Sequence, residues 1–209
     1  ICAIAKEVKN LVVFQRRPNW CAPLHNSIIS QSKMADIKRN YDAIFEKCRS
    51  TPSGFYHNFD PRKTFEVDQK KREHFWEELY ASPGFRIWLG NFRDTLSDEK
   101  ANLEFSNFVA KKIRQRVKSP EIAELLIPKD HGFGTRRVPM ENGYYEVFNQ
   151  ANVKLVNLEE SPIIEVTKSG ILTKNDEYNF DIIIYATGFD AVTGSFDKIE
   201  FIGKVGKSL

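Results

Sequence analysis

Long apolar runs are missing from this chain of 209 residues. None reaches the roughly 18 residues a helix needs to cross a bilayer, so no membrane span is expected. Cysteine is scarce. Cys2, Cys21 and Cys48 are odd in number and lack metal-type spacing. They read as buried, reduced thiols of a cytoplasmic protein. The histidines are scattered with no H-x-x-x-H pair, and no metal site is expected. An excess of one charge is also lacking. Lys plus Arg total 31 against 28 Asp plus Glu, and a net charge of +3 is too small to imply nucleic acid by itself. There is no G-x-G-x-x-G, internal repeat or low-complexity tract.

What is present begins in mid-pattern. Ile1, Ile4, Ala5 and Val8 share a helical face, so residues 1–9 read as the last turns of a helix. Leu11 to Phe14 then reads as a strand. A helix feeding a strand, with no earlier strand, is half of a βαβ unit. The expectation is an internal piece of a longer protein whose glycine-rich turn lies upstream.

After Pro23 the pattern is helical for about a hundred residues. Ile37, Tyr41, Ile44, Phe45 and Cys48 mark one apolar stripe. Phe75, Trp76, Leu79 and Tyr80 mark a second, followed by the turn Ser82-Pro83-Gly84. Ser97 is the expected N-cap of a long amphipathic helix, with Asp98 and Glu99 in its first turn. Its apolar face carries Ala101, Phe105, Phe108, Val109, Ile113 and Val117. Ser119-Pro120-Glu121 starts a shorter helix that Pro128 stops. Residues 51–62 read as an irregular loop. The basic run KKIRQRVK, Lys111 to Lys118, interleaves charge with Ile113 and Val117 and has acidic flanks. It reads as a solvated helix face rather than a nucleic-acid surface. From Asn152 the α/β pattern returns. NVKLVNL reads as a strand, and two short strands joined at Ser169-Gly170 follow between Ile163 and Thr173. Lys198 to Gly203 reads as a strand or a loop.

The stretch Asn179 to Gly194, NFDIIIYATGFDAVTG, is the most informative. Phe180 and Ile182 to Tyr185 suit a strand buried on both faces of a parallel sheet. It ends in Ala186-Thr187-Gly188, small residues at a strand's carboxyl end, where ligands bind in open α/β sheets. A plain core strand followed by a turn explains the same residues equally well.

Three blocks carry a resemblance. ATGFDAVTG after an apolar strand, HGFGTRRVPMENGYYEVFN from His131 to Asn149, and VFQRRPNW from Val13 to Trp20 occur in order. Together they resemble the flavin-dependent Baeyer–Villiger monooxygenases, within the flavin-containing monooxygenase class. Those usually read VFQRTPNW, and G-T-K-R followed by G-Y-Y-x-x-F-N. The resemblance implies an α/β fold. A Rossmann-like nicotinamide domain, residues 1–22 and 131–179, would be interrupted by a helical insertion, residues 23–130. Residues 180–209 would be part of a second, FAD-binding Rossmann-like domain. It also implies FAD and NADPH as cofactors, and a small-molecule ketone and O2 as substrates. The product would be an ester or lactone, formed through a peroxyflavin. The alternatives are an N- or S-oxygenating flavin monooxygenase, or a nucleotide-binding or helical interaction module without turnover.

Residue by residue, the resemblance points to two sites. In dinucleotide folds an acid just past the second strand favours NAD. Here Gln15 is followed by Arg16 and Arg17, whose guanidiniums can grip a 2′-phosphate. Arg17 departs from the usual Thr. In the second block, Arg136 falls at the phosphate-binding position, Thr135 beside it is a further cofactor-binding residue, and Arg137 falls on the catalytic arginine. The glycines Gly132 and Gly134 suit a turn that crosses close to a ligand. Ala186, Thr187 and Gly188 would contact the flavin or couple the domains, with Asp190 fixing the turn. Tyr144, Tyr145 and Phe148 read as helix packing rather than substrate contacts.

Overall fold

The computed structural model describes residues 1–189 and 193–208. They gather into two units, Ile1–Pro162 and Ile163–Leu209.

In the first unit the apolar run becomes β1 (Leu11–Gln15), followed by the short β2 (Ala22–Pro23). The helices α1 (Gln31–Arg39), α2 (Tyr41–Ser50), α3 (Gln69–Ala81), α4 (Arg86–Leu89), α5 (Glu99–Arg116) and α6 (Pro120–Leu126) come next. Then β3 (Met140–Glu141), the single turn α7 (Tyr144–Val147) and β4 (Val153–Asn157) complete it. β1 and β4 pair in parallel, with Leu11 opposite Val153 and Gln15 opposite Asn157. β2 and β3 also pair in parallel, with Ala22 opposite Met140. Each pair joins chain from before the helices to chain after them, so the helical stretch leaves the strands and returns.

The helix ends show why these residues fold locally. The N-cap of α5 is Asp98, which accepts from Ala101 N at 2.9 Å. This corrects the expected Ser97 by one residue: Asp98 satisfies a free N–H and also places negative charge at the helix's positive end. α6 begins as expected, with Ser119 accepting from Ile122 N and Pro120 in the first turn. The first apolar stripe is not one helix. Asn40 Nδ2 donates to Asp36 O, which ends α1 and re-aims the chain into α2. Neither helix holds a buried residue, and Tyr41 stacks on Phe45 at the surface. The opening residues form only a 3-10 turn, Ile4–Lys6, around the buried Ala5.

The core lies between α3 and α5. The Trp76 ring meets those of Phe105 and Phe108 at 5.2 and 5.5 Å. The expected α5 face, Ala101 through Val117, is buried throughout. Phe133, only 1% exposed, inserts from a loop and meets Phe105 edge-on at 5.0 Å.

In the second unit β5 (Ile163–Val166), β6 (Gly170–Thr173) and β7 (Glu177–Asn179) form an antiparallel sheet. The turn at Ser169-Gly170 is as expected; β7, short and polar, has no sequence signal. A Cβ at Gly170 would sit 1.8 Å from Tyr178 O, so close strand approach requires glycine there. α8 (Thr193–Asp197) follows. The apolar run before Ala186 is not a buried strand in this structure. Ile182 is 77% exposed, and Ile184 and Tyr185 are also exposed. No strand among the described residues pairs with the run, and an unladdered strand leaves its backbone groups to water. Residues 198–203 are loop apart from an isolated bridge between Ile202 and Ser208. Asp190 lies outside the described residues. Among the described residues no helix is long and apolar enough to cross a membrane.

Candidate functional site

β1 and β4 end side by side at Gln15 and Asn157. Gln15 Nε2 donates to Leu125 O at 2.7 Å, tying this edge to α6. Past it lies a cavity of about 490 Å³ whose walls include Arg16, Arg17, Lys129, Asp130, Glu124 and Glu160. The carboxyl end of parallel strands is where open α/β sheets take ligands. Arg16 and Arg17 line this cavity just past the end of β1. The carboxylates come from other elements and escape a reading centred on the strand end.

The loop carrying the second set of arginines is pinned to α5. Phe133 N donates to Ser106 Oγ at 2.9 Å, and Asn102 Nδ2 donates to the Phe133 and Thr95 carbonyls, each at 2.9 Å. Asn102 and Ser106 lie four residues apart on one helix face, so together they satisfy both backbone groups of Phe133. A Cβ on Gly132 would fall 1.7 Å from Asn102 Oδ1. At Gly134, φ is +78°, and a Cβ would meet Leu96 Cδ2 at 2.6 Å. Within the protein, the close neighbours at the two glycines are the Asn102 side chain of α5, Leu96 and Trp88. Thr135 Oγ1 donates back to Gly132 O at 2.8 Å and closes the turn. Replacing Phe133 with Ala removes the anchor of this loop. The expected cost is about 3–5 kcal/mol of unfolding free energy, read by urea denaturation. A loss under about 1 kcal/mol would show that the loop holds without it.

Beyond the turn, Arg136 Nη2 lies 3.1 Å and Arg17 Nη1 3.9 Å from the same Asp130 Oδ2. The other carboxylate oxygen takes His131 Nδ1 at 2.6 Å. His131 Nε2 meets Asn19 Oδ1 at 3.0 Å, and Asn19 Nδ2 donates to Arg137 O at 3.0 Å. Trp20 Nε1 donates to His131 O. The hydrogen bond from His131, with the Arg136 charge behind it, holds the Asp130 carboxyl below its ordinary range. The Arg137 side chain is exposed and makes no ion pair among the described residues. The structure thus brings Arg17, Arg136 and the backbone of Arg137 into one network. Asn19, Asp130 and His131, which join them, were not singled out by sequence; two of the three lie inside the quoted blocks.

A second network sits at the end of α5. Arg116 donates to Glu146 and Glu141, and to Tyr80 Oη at 3.0 Å. Its side chain is 19% exposed and that of Glu141 6%. Burial works against the Arg116 charge, but the bonds to Glu146 and Glu141 outweigh it and push its pKa up. The basic run is thus not simply a solvated face: Lys112 pairs with Glu77, Arg114 with Glu124, and Arg116 with buried carboxylate. Burial, followed by the Glu141 charge, pushes the neighbouring Cys21 thiol up to about 11. Cys2, Cys21 and Cys48 are free and half-buried. Tyr145 and Phe148 are buried, and Tyr144 packs against the core, as expected of helix packing.

In the second unit Ala186, Thr187 and Gly188 are exposed. Gly188 has φ +91° and nothing within 4 Å of a built Cβ. Its backbone conformation, rather than close approach within the described residues, is what calls for glycine.

No protein-family model matches the chain. It is 54% identical over 200 residues to the 2-oxo-Delta(3)-4,5,5-trimethylcyclopentenylacetyl-CoA monooxygenase of Pseudomonas putida, covering 96% of this chain and 37% of that protein. It is 40% identical to the cyclopentanone 1,2-monooxygenase of Comamonas sp. (strain NCIMB 9872), covering 98% of this chain and 38% of the relative. The crystal structure of OTEMO in complex with FAD and NADP superposes with a TM-score of 0.95 at 53% identity, covering 98% of this chain and 38% of that one. Over almost all of its length the chain is similar to proteins named monooxygenases, and it spans little more than a third of the length of these relatives.

Proposed function

We propose that the chain is part of a FAD- and NADPH-dependent Baeyer–Villiger monooxygenase. In the reaction, a small-molecule ketone, O2, NADPH and a proton give an ester or lactone, NADP+ and water. The observation that carries this reading is the gathering of Arg17 and Arg136 on one carboxylate, with Arg16 on the wall of the same strand-end cavity. Their guanidiniums fit a ribose 2′-phosphate, which accepts paired hydrogen bonds from such groups. Thr135 shapes the turn that presents Arg136. Arg137, exposed and permanently charged, is the cation for the oxygen-transfer step. Ala186, Thr187 and Gly188 are assigned to the flavin side. When bound, FAD supplies the oxygen chemistry and NADPH the hydride. On this reading residues 1–22 and 131–179 belong to the nicotinamide domain, 23–130 to the helical insertion and 180–209 to the FAD domain.

The test is cofactor selectivity in the full-length protein. Arg16→Ala should raise the KM for NADPH about 10- to 100-fold, the range for losing a charge-assisted hydrogen bond, and leave that for NADH nearly unchanged. Equal losses with both cofactors would assign Arg16 to folding or general binding. Gas chromatography of the product separates ester formation from oxygenation of nitrogen or sulfur.

A further inference from the structure

Arg136 and Arg137 are neighbours in sequence, yet different partners hold them. Arg136 is held by its guanidinium, through Asp130 Oδ2. Arg137 is held by its carbonyl, through Asn19 Nδ2. His131 joins the two holds, with Nδ1 on Asp130 Oδ1 at 2.6 Å and Nε2 at 3.0 Å from Asn19 Oδ1. We propose that His131 and Asn19 are positioning residues: His131 fixes Asp130 under the phosphate-binding guanidiniums, and Asn19 fixes the backbone that aims Arg137. This rests on the roles assigned above to Arg136 and Arg137.

The donor and acceptor pattern supports it. Asn19 spends its N–H on the Arg137 carbonyl, so only its oxygen is left for the ring. Asp130 likewise offers an oxygen. Both ring nitrogens therefore face acceptor oxygens, which fixes the ring between Asp130 and Asn19. A hydrogen bond to the ionised Asp130 carboxylate is of the stronger, charge-assisted kind. The His131 side chain is only 7% exposed, and Trp20 Nε1 fixes its carbonyl at 2.9 Å. The ring is thus largely shielded from water, while the Asp130 carboxylate remains open to it. Val138, the next residue after Arg137, is buried, so the backbone is fixed on both sides of the Arg137 carbonyl. With no ion pair of its own among the described residues, the Arg137 guanidinium takes its direction from that backbone.

The test uses the full-length flavin-loaded protein and two variants. Asn19→Asp keeps an acceptor for His131 and the side chain's shape, but replaces the donor to Arg137 O. It should raise amide hydrogen exchange at residues 137–138 and at least halve the ester formed per NADPH consumed. Calorimetric affinity for 2′,5′-ADP should stay within about twofold of wild type, because the phosphate end is untouched. His131→Ala should in addition weaken 2′,5′-ADP by about fivefold or more, with 5′-AMP little changed. Wild-type exchange and coupling in Asn19→Asp would overturn the assignment of Asn19. Equal loss of 2′,5′-ADP and 5′-AMP in His131→Ala, or loss of neither, would overturn that of His131. A wild-type protein that does not prefer 2′,5′-ADP to 5′-AMP would instead refute the underlying reading of the arginines.

Discussion

Arg137→Ala in the full-length protein is expected to abolish ester formation while FAD stays bound. A cation fixed beside the reacting oxygens stabilises negative charge that develops only in the transition state. One such preorganised donor contributes about 3–4 kcal/mol, a factor of roughly 10²–10³ in rate. Arginine suits the task because it stays charged at any working pH and presents a planar fork of donors. Arg137→Lys should not restore the rate, since an ammonium keeps the charge but loses the fork. Arg137 is free to serve in this way: its guanidinium is exposed, and the bond to Asn19 uses only its backbone carbonyl. Ketone-to-ester conversion by gas chromatography and flavin reduction by stopped flow report the two halves separately. Near-normal ester formation by Arg137→Ala would return Arg137 to the status of a loop cation.

Elements with their own periodicity and caps were legible in the sequence. α5 shows its buried face at helical spacing, and β1 and β4 are short apolar runs whose parallel pairing fits a βαβ-type crossover. The positions of Arg16, Arg17, Arg136 and Arg137 came from the quoted blocks. What joins them was not legible, because it consists of pairs far apart in the chain. Asn19 reaches His131 and Arg137, and Asn102 reaches Phe133, with no local signal in either case. Gly132 illustrates the same limit. Its glycine signals close approach, but sequence cannot say that the approaching group is the Asn102 side chain. Ile182 to Tyr185 err in the other direction. Their composition is that of a buried strand, but burial needs partner strands that no local pattern supplies.

Arg116 offers an expected effect on stability as large as that of Phe133. In sequence it is one cation in a basic run; in the structure its fork links α5 to β3 and α7, and one nitrogen also meets Tyr80 of α3. Removing it by Arg116→Ala leaves Glu141, whose side chain is 6% exposed, as an uncompensated buried carboxylate. Breaking a buried pair from one side costs about 3–5 kcal/mol, well above the 0–1 kcal/mol of a surface pair. Arg116→Met combined with Glu141→Leu should recover much of that loss, because no charge is then stranded. The pH dependence has a definite sign. The hydrogen bond from Arg116 outweighs burial and lowers the Glu146 carboxyl below its ordinary value, so the unfolded chain binds the proton more readily. Glu146 therefore contributes stability above the unfolded glutamate pKa, about 4.3, and loses it as pH falls through the lower folded value. The Arg116 shift is upward and lies far above any working pH, so it adds no slope there. Resistance of the wild type to urea should weaken as pH drops below about 4, and Arg116→Ala should show a shallower acid limb on an already lower baseline. A loss under about 1 kcal/mol at pH 7, with the acid limb unchanged, would make Arg116 the solvated surface cation its sequence context suggests.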